Sequence, residues 1–297
     1  MWLILTFVSA FFIGFYELAK KHAVQQNAVW LVLLFTSLTG AIIFAPFIIL
    51  SKLHILSEDF FLYVPPISIQ EHGFILIKTS LVLTSWVLSF FVLKHLPITI
   101  AAPIRSTSPL WTIFGALVLY GELLSLQQWI GVIVTLGFFF MFSLAGKREG
   151  IHFKSNVWVW LALLATMFSS SSALLDKHLI RNIDKVAVQA YFTVYQVVLL
   201  FPVVFTIRRM QPKAHTLDWR WTIPIIAIFL LLADFFYFAA LNQPDSLLAV
   251  VSTIRRGSVL ITFGFGAWLF KEKNVWRKSI YLIGILIGLL ILLLSDG

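Results

Sequence analysis

Apolar residues fall into ten long runs separated by polar joints: roughly 2–21, 28–50, 73–93, 98–120, 125–144, 157–178, 186–207, 222–241, 246–270 and 275–295. Each has about the 17 to 25 residues that a helix needs to cross a hydrocarbon core, so ten transmembrane helices are predicted. Most joints are short and force antiparallel neighbours. The exceptions are 51–72, which contains Pro65 and Pro66, and the polar stretch 208–220. The charged segment KREGIHFKSN, Lys147 to Asn156, with Gly150 inside it, is the natural linker (147–156) between a first five-span unit, 1–146, and a second, 157–297. The first run starts at Trp2 without a basic stretch before it or a convincing small-residue cleavage site, and is expected to be a retained span.

The two units share sequence landmarks. The fourth run holds Arg105 and ends in Glu122; the ninth holds Arg255 and ends in Glu272, an offset of 150 in both cases. Lys20, Lys21 and His22 close the first run as Asp176, Lys177 and His178 close the sixth, at a constant offset of 156. A duplicated unit is the simplest account. Because five spans are an odd number, the second copy enters the membrane from the opposite side. The expected fold class is therefore an all-α membrane protein, ten transmembrane helices as two inverted five-helix repeats.

Composition agrees: 60% of residues are hydrophobic and 12% charged, whereas a soluble domain carries about 25% charge. The basic excess, 22 Lys and Arg against 13 Asp and Glu, would suit nucleic acid, but most of it lies in short joints where it sets orientation. The side of the first joint carries fourteen Lys and Arg and the other side four, with Lys78 just inside the third span. The positive-inside rule then puts the fourteen in the cytoplasm and both termini outside. With no cysteine, thiolate metal sites and disulfides are excluded. All seven histidines lie in joints or at span ends, and no HExxH or GxSxG pattern is present, so neither an enzyme nor a cofactor is expected.

The chemistry of interest is in the arginine runs. Arg255 lies about 13 Å along its helix and Arg105 about 10 Å along its own. Entering from opposite faces of a core about 30 Å thick, they fall about 6 Å apart in depth. An arginine at the midplane costs about 2.5 to 3.5 kcal/mol on insertion scales, which points to a convergent site facing water or a ligand. The plain alternative is that each is a strut bonded to carbonyls of broken helices or to an acid.

The pattern resembles the ten-span EamA-like transporters of the drug/metabolite transporter superfamily. The resemblance rests on the two five-span halves, on Pro109 in a fourth span ending in Tyr120, Gly121 and Glu122, and on Leu126 to Gly131 leading into a glycine-containing span. In the second copy it rests on Phe270, Lys271 and Glu272 before a span with Gly284 and Gly288; that copy departs at Val259, where the proline would fall, and at Lys271, where the glycine would. The resemblance implies alternating access around a cavity between the halves, and relatives are commonly drawn with both termini in the cytoplasm, against the charge count retained here. Triose-phosphate and nucleotide-sugar transporters of the superfamily place basic residues similarly, which implies an anionic substrate.

The candidate substrate-binding residues are Arg105, Arg255, Arg256, Asp234, Tyr237, Trp86, Glu17, Ser108 and Ser258. Asp234 sits thirteen residues after Trp221 and shares a helical face with Tyr237; pairing with Arg255 or Arg256 is favoured over carrying a coupling proton. Arg256 lies about 100° round the helix from Arg255 and ranks third among the arginines. Glu17, three residues before Lys20 and four before Lys21, fits an ordinary interfacial ion pair as well as a cavity role. Ser106, Thr107 and Ser108, with Ser252, Thr253 and Ser258, give the arginine neighbourhoods a polar lining, though such serines also bond back to their own helix. Mid-span Trp86 suits stacking on a ligand, yet with 11 Trp in the chain a structural role is commoner. Ser169 to Ser172, and Gly284 with Gly288, are expected to let helices pack closely, the latter pair also suiting a homodimer.

Three arginines against Asp234 leave a formal +2 near the midplane, or +1 if Glu17 joins. The expected function is a secondary transporter of a small organic anion, phosphorylated or carboxylated, in a bacterial inner (plasma) membrane. Its partners are then the substrate and membrane lipids, without nucleic acid. Alternatives are an exporter of neutral or zwitterionic metabolites such as amino acids, and a non-transporting membrane scaffold or lipid-binding protein.

Overall fold

The computed structural model describes residues 1–108, 110–112, 114–115, 125–147, 153–210, 217–243, 246, 251, 254–255, 257–271 and 275–294. Ten helices carry them, with no strand among the described residues: α1 (Trp2–Val24), α2 (Val29–Lys52), α3 (Ile69–His95), α4 (Ile98–Ser106), α5 (Leu126–Lys147), α6 (Val157–Asn182), α7 (Lys185–Met210), α8 (Thr222–Leu241), α9 (Ser258–Leu269) and α10 (Val275–Leu294). Six of these, α1 to α3 and α6 to α8, are long and apolar enough to cross a membrane on their own.

Two starts and two ends show the local physics. Ser68 Oγ accepts from the Glu71 backbone N–H while the Glu71 carboxylate accepts from the Ser68 N–H at 2.6 Å. This reciprocal capping box starts α3 at Ile69, four residues before the hydropathy pattern does. Asn156 likewise accepts from the Trp158 N–H at 2.9 Å and starts α6. At the far end α6 runs on to Asn182 rather than stopping near 178. Lys271, standing where the first copy has Gly121, takes the left-handed conformation (φ 50°) just past the end of α9, the geometry that favours glycine after a helix.

The packing has two-fold character. The end of α2 that holds Leu31 to Leu34 shares a core with Leu200 and Val204 near the end of α7, and Phe44 meets Val186 to Phe192 at the start of α7. In α5 and α10, Gly284 faces Phe138 while Gly288 faces Thr135 and Gly131. Each of these seams joins a helix to its own counterpart, and each is antiparallel, so the symmetry axis lies across the helices and the repeat is inverted. Pro46 in α2 and Pro202 in α7 are a further matched pair. A Cβ on Gly284 would come within 2.2 Å of the Phe138 ring, so this glycine face is consumed inside the chain and is not the free surface a glycine-driven dimer would need.

Apart from the counterpart seam of α4 with α9, where Ala102 clusters with Val259 and Phe263, most of the remaining contacts sort eight helices into two bundles, α3 with α4, α6 and α7, and α1 with α2, α8 and α9. Each has a buried serine hydroxyl across its main seam: Ser85 Oγ donates to the Ala165 carbonyl at 2.8 Å, and Ser9 Oγ to the Ala233 carbonyl at 2.7 Å. Such bonds hold apolar helices together where no hydrophobic drive does.

Candidate functional site

The fourth and ninth apolar runs are not the continuous helices that hydropathy predicts. In the fourth, α4 ends at Ser106, where the Thr107 N–H donates to the Ile104 carbonyl at 3.2 Å and the Leu110 N–H to the Thr107 carbonyl at 3.0 Å. In the ninth, the Gly257 N–H donates to Ile254 at 2.9 Å and the Leu260 N–H to Gly257 at 3.0 Å. The two breaks match residue for residue at the 150 offset and follow Arg105 and Arg255 by two residues. Tight i→i+3 bonds replace the helical ladder there. The sequence supplies reasons: Pro109 has no N–H to donate back, and Gly257 has the weakest helix preference short of proline.

A cavity of about 110 Å³ lies between the bundles, and both Arg105 and Arg255 line it. Each arginine is also held by an acid, as the strut alternative expects. Arg255 Nη2 donates to Asp234 Oδ1 at 3.1 Å, and its guanidinium lies 3.9 Å from the centroid of the Tyr237 ring. One helical face of α8 therefore supplies both partners, as the spacing of 234 and 237 implies. Arg105 forms an ion pair with Glu17 of α1, and Glu17 also accepts from Lys20 Nζ at 2.9 Å. Glu17 is only 7% exposed, so the ion pair that the spacing suggested is present, but in the interior rather than at the interface. Lys21 is buried too, donating to the carbonyls of Leu93 and Leu96 at the end of α3 at 2.6 and 2.8 Å.

Trp86 lines the same cavity, with its ring centroid 6.5 Å from that of Tyr16 and 6.2 Å from that of Phe192. Ser258 lies instead in a smaller void of about 30 Å³ behind Arg105 and Glu17. Ser108 packs: its hydroxyl is 2.8 Å from that of Ser170, which also donates to the Ser108 carbonyl, tying the fourth run just past its break to α6. Ser169 and Ser172, expected to serve helix packing, line the cavity. Arg256, Pro109, Tyr120, Gly121, Glu122, Ser252, Thr253 and Glu272 lie outside the described residues.

Two lining residues were missed from the sequence. Lys78 of α3 and Asp176 of α6 form an ion pair with side chains 4% and 8% exposed. The Lys78 ammonium also lies 4.7 Å from the Phe192 ring centroid and 5.1 Å from that of Phe238. This pair corrects the charge arithmetic. The cavity wall carries Lys78, Arg105 and Arg255 against Asp176 and Asp234, with Glu17 on the far side of Arg105, so every described wall cation has an acid beside it.

Ten helices in inverted halves, with two arginine-bearing spans broken at matched points around a shared polar cavity, form an arrangement in which membrane transporters are built. The model of the EamA-like transporter family matches residues 1–144 and again 156–294, and the chain belongs to that family. It is a multi-pass integral membrane protein. No curated protein matches it. Among solved structures, one crystal structure superimposes with a TM-score of 0.65 over 99% of this chain and 97% of its own, at 14% identity; likeness at that identity shows the fold alone.

Proposed function

We propose that the chain is a secondary transporter that moves a small organic metabolite by alternating access, and that the substrate carries a carboxylate or phosphate group taken by Arg105 and Arg255. The observation that supports this most is the pair of arginines, one from each repeat, on the wall of one cavity at matched helix breaks. A guanidinium presents five N–H donors in a planar fork, so an acid on one edge leaves the other edge for an anionic ligand. Broken helices at the membrane midplane are where carriers build such sites. Trp86, Tyr237, Tyr16 and Phe192 supply flat apolar surface for the rest of the molecule.

One observation favours a second reading, a zwitterionic substrate. Asp176 and Asp234 share the wall with the arginines, so an ammonium group on the substrate would find acids within the same cavity. A thermal-shift screen of a metabolite library on purified protein separates the two. Phosphate esters and simple carboxylates that stabilise the protein, less so as salt rises, support the anion. Stabilisation only by compounds that also bear an ammonium supports the zwitterion, and stabilisation only by neutral or cationic compounds, unaffected by Arg105→Ala or Arg255→Ala, defeats both.

A further inference from the structure

Four ion pairs are present among the described residues, and three of them stay within one helix bundle. Lys20–Glu17 lies within α1, Lys78–Asp176 joins α3 to α6, and Arg255 is held by Asp234 of α8, on the bundle that contains α9. The fourth, Arg105–Glu17, joins α4 to α1 and so crosses from one bundle to the other. Any motion that parts the bundles on the side of Glu17 has to break it. A buried carboxylate that loses its partner is costly, yet Glu17 has another. Lys20 is three residues on along the same helix, travels with it, and is fully buried, its ammonium 4.6 Å from the centroid of the Tyr16 ring on that helix. A lysine one turn from the end of a membrane helix ordinarily reaches out to water; this one is turned inward to the carboxylate.

We propose that Lys20 is a positioning residue of the transport cycle: it stays on Glu17 when the bundles part, so that Arg105 is handed from Glu17 to the substrate. Closing reverses the exchange. Arg105 is then lock and ligand in turn, and an anionic group that holds it favours the state in which Glu17 has let go. The coupling is a ligand acting through differential contacts in two states. The inference rests on the alternating-access reading, and its test reads accessibility rather than uptake.

The chain has no cysteine, so a single Ala102→Cys reports on the void behind Arg105 and Glu17, which Ala102 lines. Its rate of labelling by a small thiol reagent measures how often that side opens. Without Lys20, Glu17 depends on Arg105 alone and the lock holds: Lys20→Met should slow labelling at least about fivefold. Glu17→Gln should speed it by a similar factor, and Lys20→Met together with Glu17→Gln should match Glu17→Gln alone. Lys20→Met that labels at the parent rate, or slows labelling equally in the Glu17→Gln background, overturns the proposal. If Lys20→Met does not fold, Lys20→Arg must label as the parent does while Glu17→Gln labels faster, and an unchanged Glu17→Gln rate overturns it. Uptake into liposomes, measured on the same proteins, separates the two ideas. The full set of labelling changes without movement of any solute defeats the transport reading, and with it the hand-over to a substrate, and leaves the Glu17–Arg105 lock and the part of Lys20 in releasing it standing.

Discussion

Removing the Asp176 carboxylate is the sharpest perturbation of the cavity wall. Asp176→Asn leaves the Lys78 ammonium in a site where its side chain is 4% exposed, with two aromatic faces about 5 Å away and, on the same cavity wall, Asp234, which is already paired with Arg255. Breaking a buried pair by deleting one partner costs about 3 to 5 kcal/mol. The amide oxygen still accepts one hydrogen bond from the ammonium, so the lower figure applies, about 3 kcal/mol. At about 2 to 4 °C per kcal/mol, the unfolding midpoint in detergent should fall by roughly 10 °C. Lys78→Met with Asp176→Leu removes both charges and fills the space with apolar atoms, and should unfold within about 1 kcal/mol of the parent. The assay is a double-mutant cycle on purified protein, adding Lys78→Met and Asp176→Leu as the single variants; with each single losing about 3 kcal/mol or more and the double within about 1, the coupling it should return is about 5 kcal/mol or more. Additive losses, with the double variant least stable of all, would refute the buried pair.

A reporter fused after Gly297 should behave as periplasmic or extracellular, as the count of fourteen basic residues against four requires; cytoplasmic activity would reverse the orientation and leave the inverted repeat untouched. Gly288→Ala puts a methyl 2.3 Å from Thr135 Oγ1 and 2.7 Å from a backbone nitrogen, so it should cost about 1 to 3 kcal/mol in the α5–α10 seam, and unchanged stability to denaturant would show that the seam is looser. Lys271→Gly relieves a left-handed lysine worth about 1 to 2 kcal/mol, partly offset by glycine's greater freedom when unfolded; the midpoint should rise by a degree or more, and a fall would contradict the account of that turn.

What the sequence disclosed was depth and symmetry. Arg105 and Arg255 were found because a duplicated unit keeps its spacing, and their meeting at one cavity follows from entering the membrane from opposite faces. Asp234, Tyr237 and Arg255 came together because two of them share a helical face. The Lys78–Asp176 pair escaped for a physical reason at each end. The capping box of Ser68 and Glu71 starts α3 four residues before its apolar run, which puts Lys78 about 14 Å along the helix rather than near its mouth. By hydropathy Asp176 closes the sixth span, but α6 continues through Lys177 and His178 to Asn182. Polar residues at a helix end depress hydropathy without ending the helix. The breaks in the fourth and ninth runs were hidden the other way, since a broken helix made of apolar residues reads as continuous, and only Pro109 and Gly257 hinted at them. Sequence distance places Ser108 and Ser258 beside the arginines, but which face each presents beyond a break is set by the break: Ser108 meets Ser170, and Ser258 lines the smaller void with Arg105 and Glu17.

The central claim is that Arg105 and Arg255 together hold the transported molecule, and uptake by purified protein in liposomes tests it most directly. With a carboxylate or phosphate ester identified by thermal shift, Arg105→Lys and Arg255→Lys should each keep the charge, lose the planar fork, and cut uptake at least about tenfold, while both proteins still elute as single species. Uptake at the parent rate in both variants would contradict the claim.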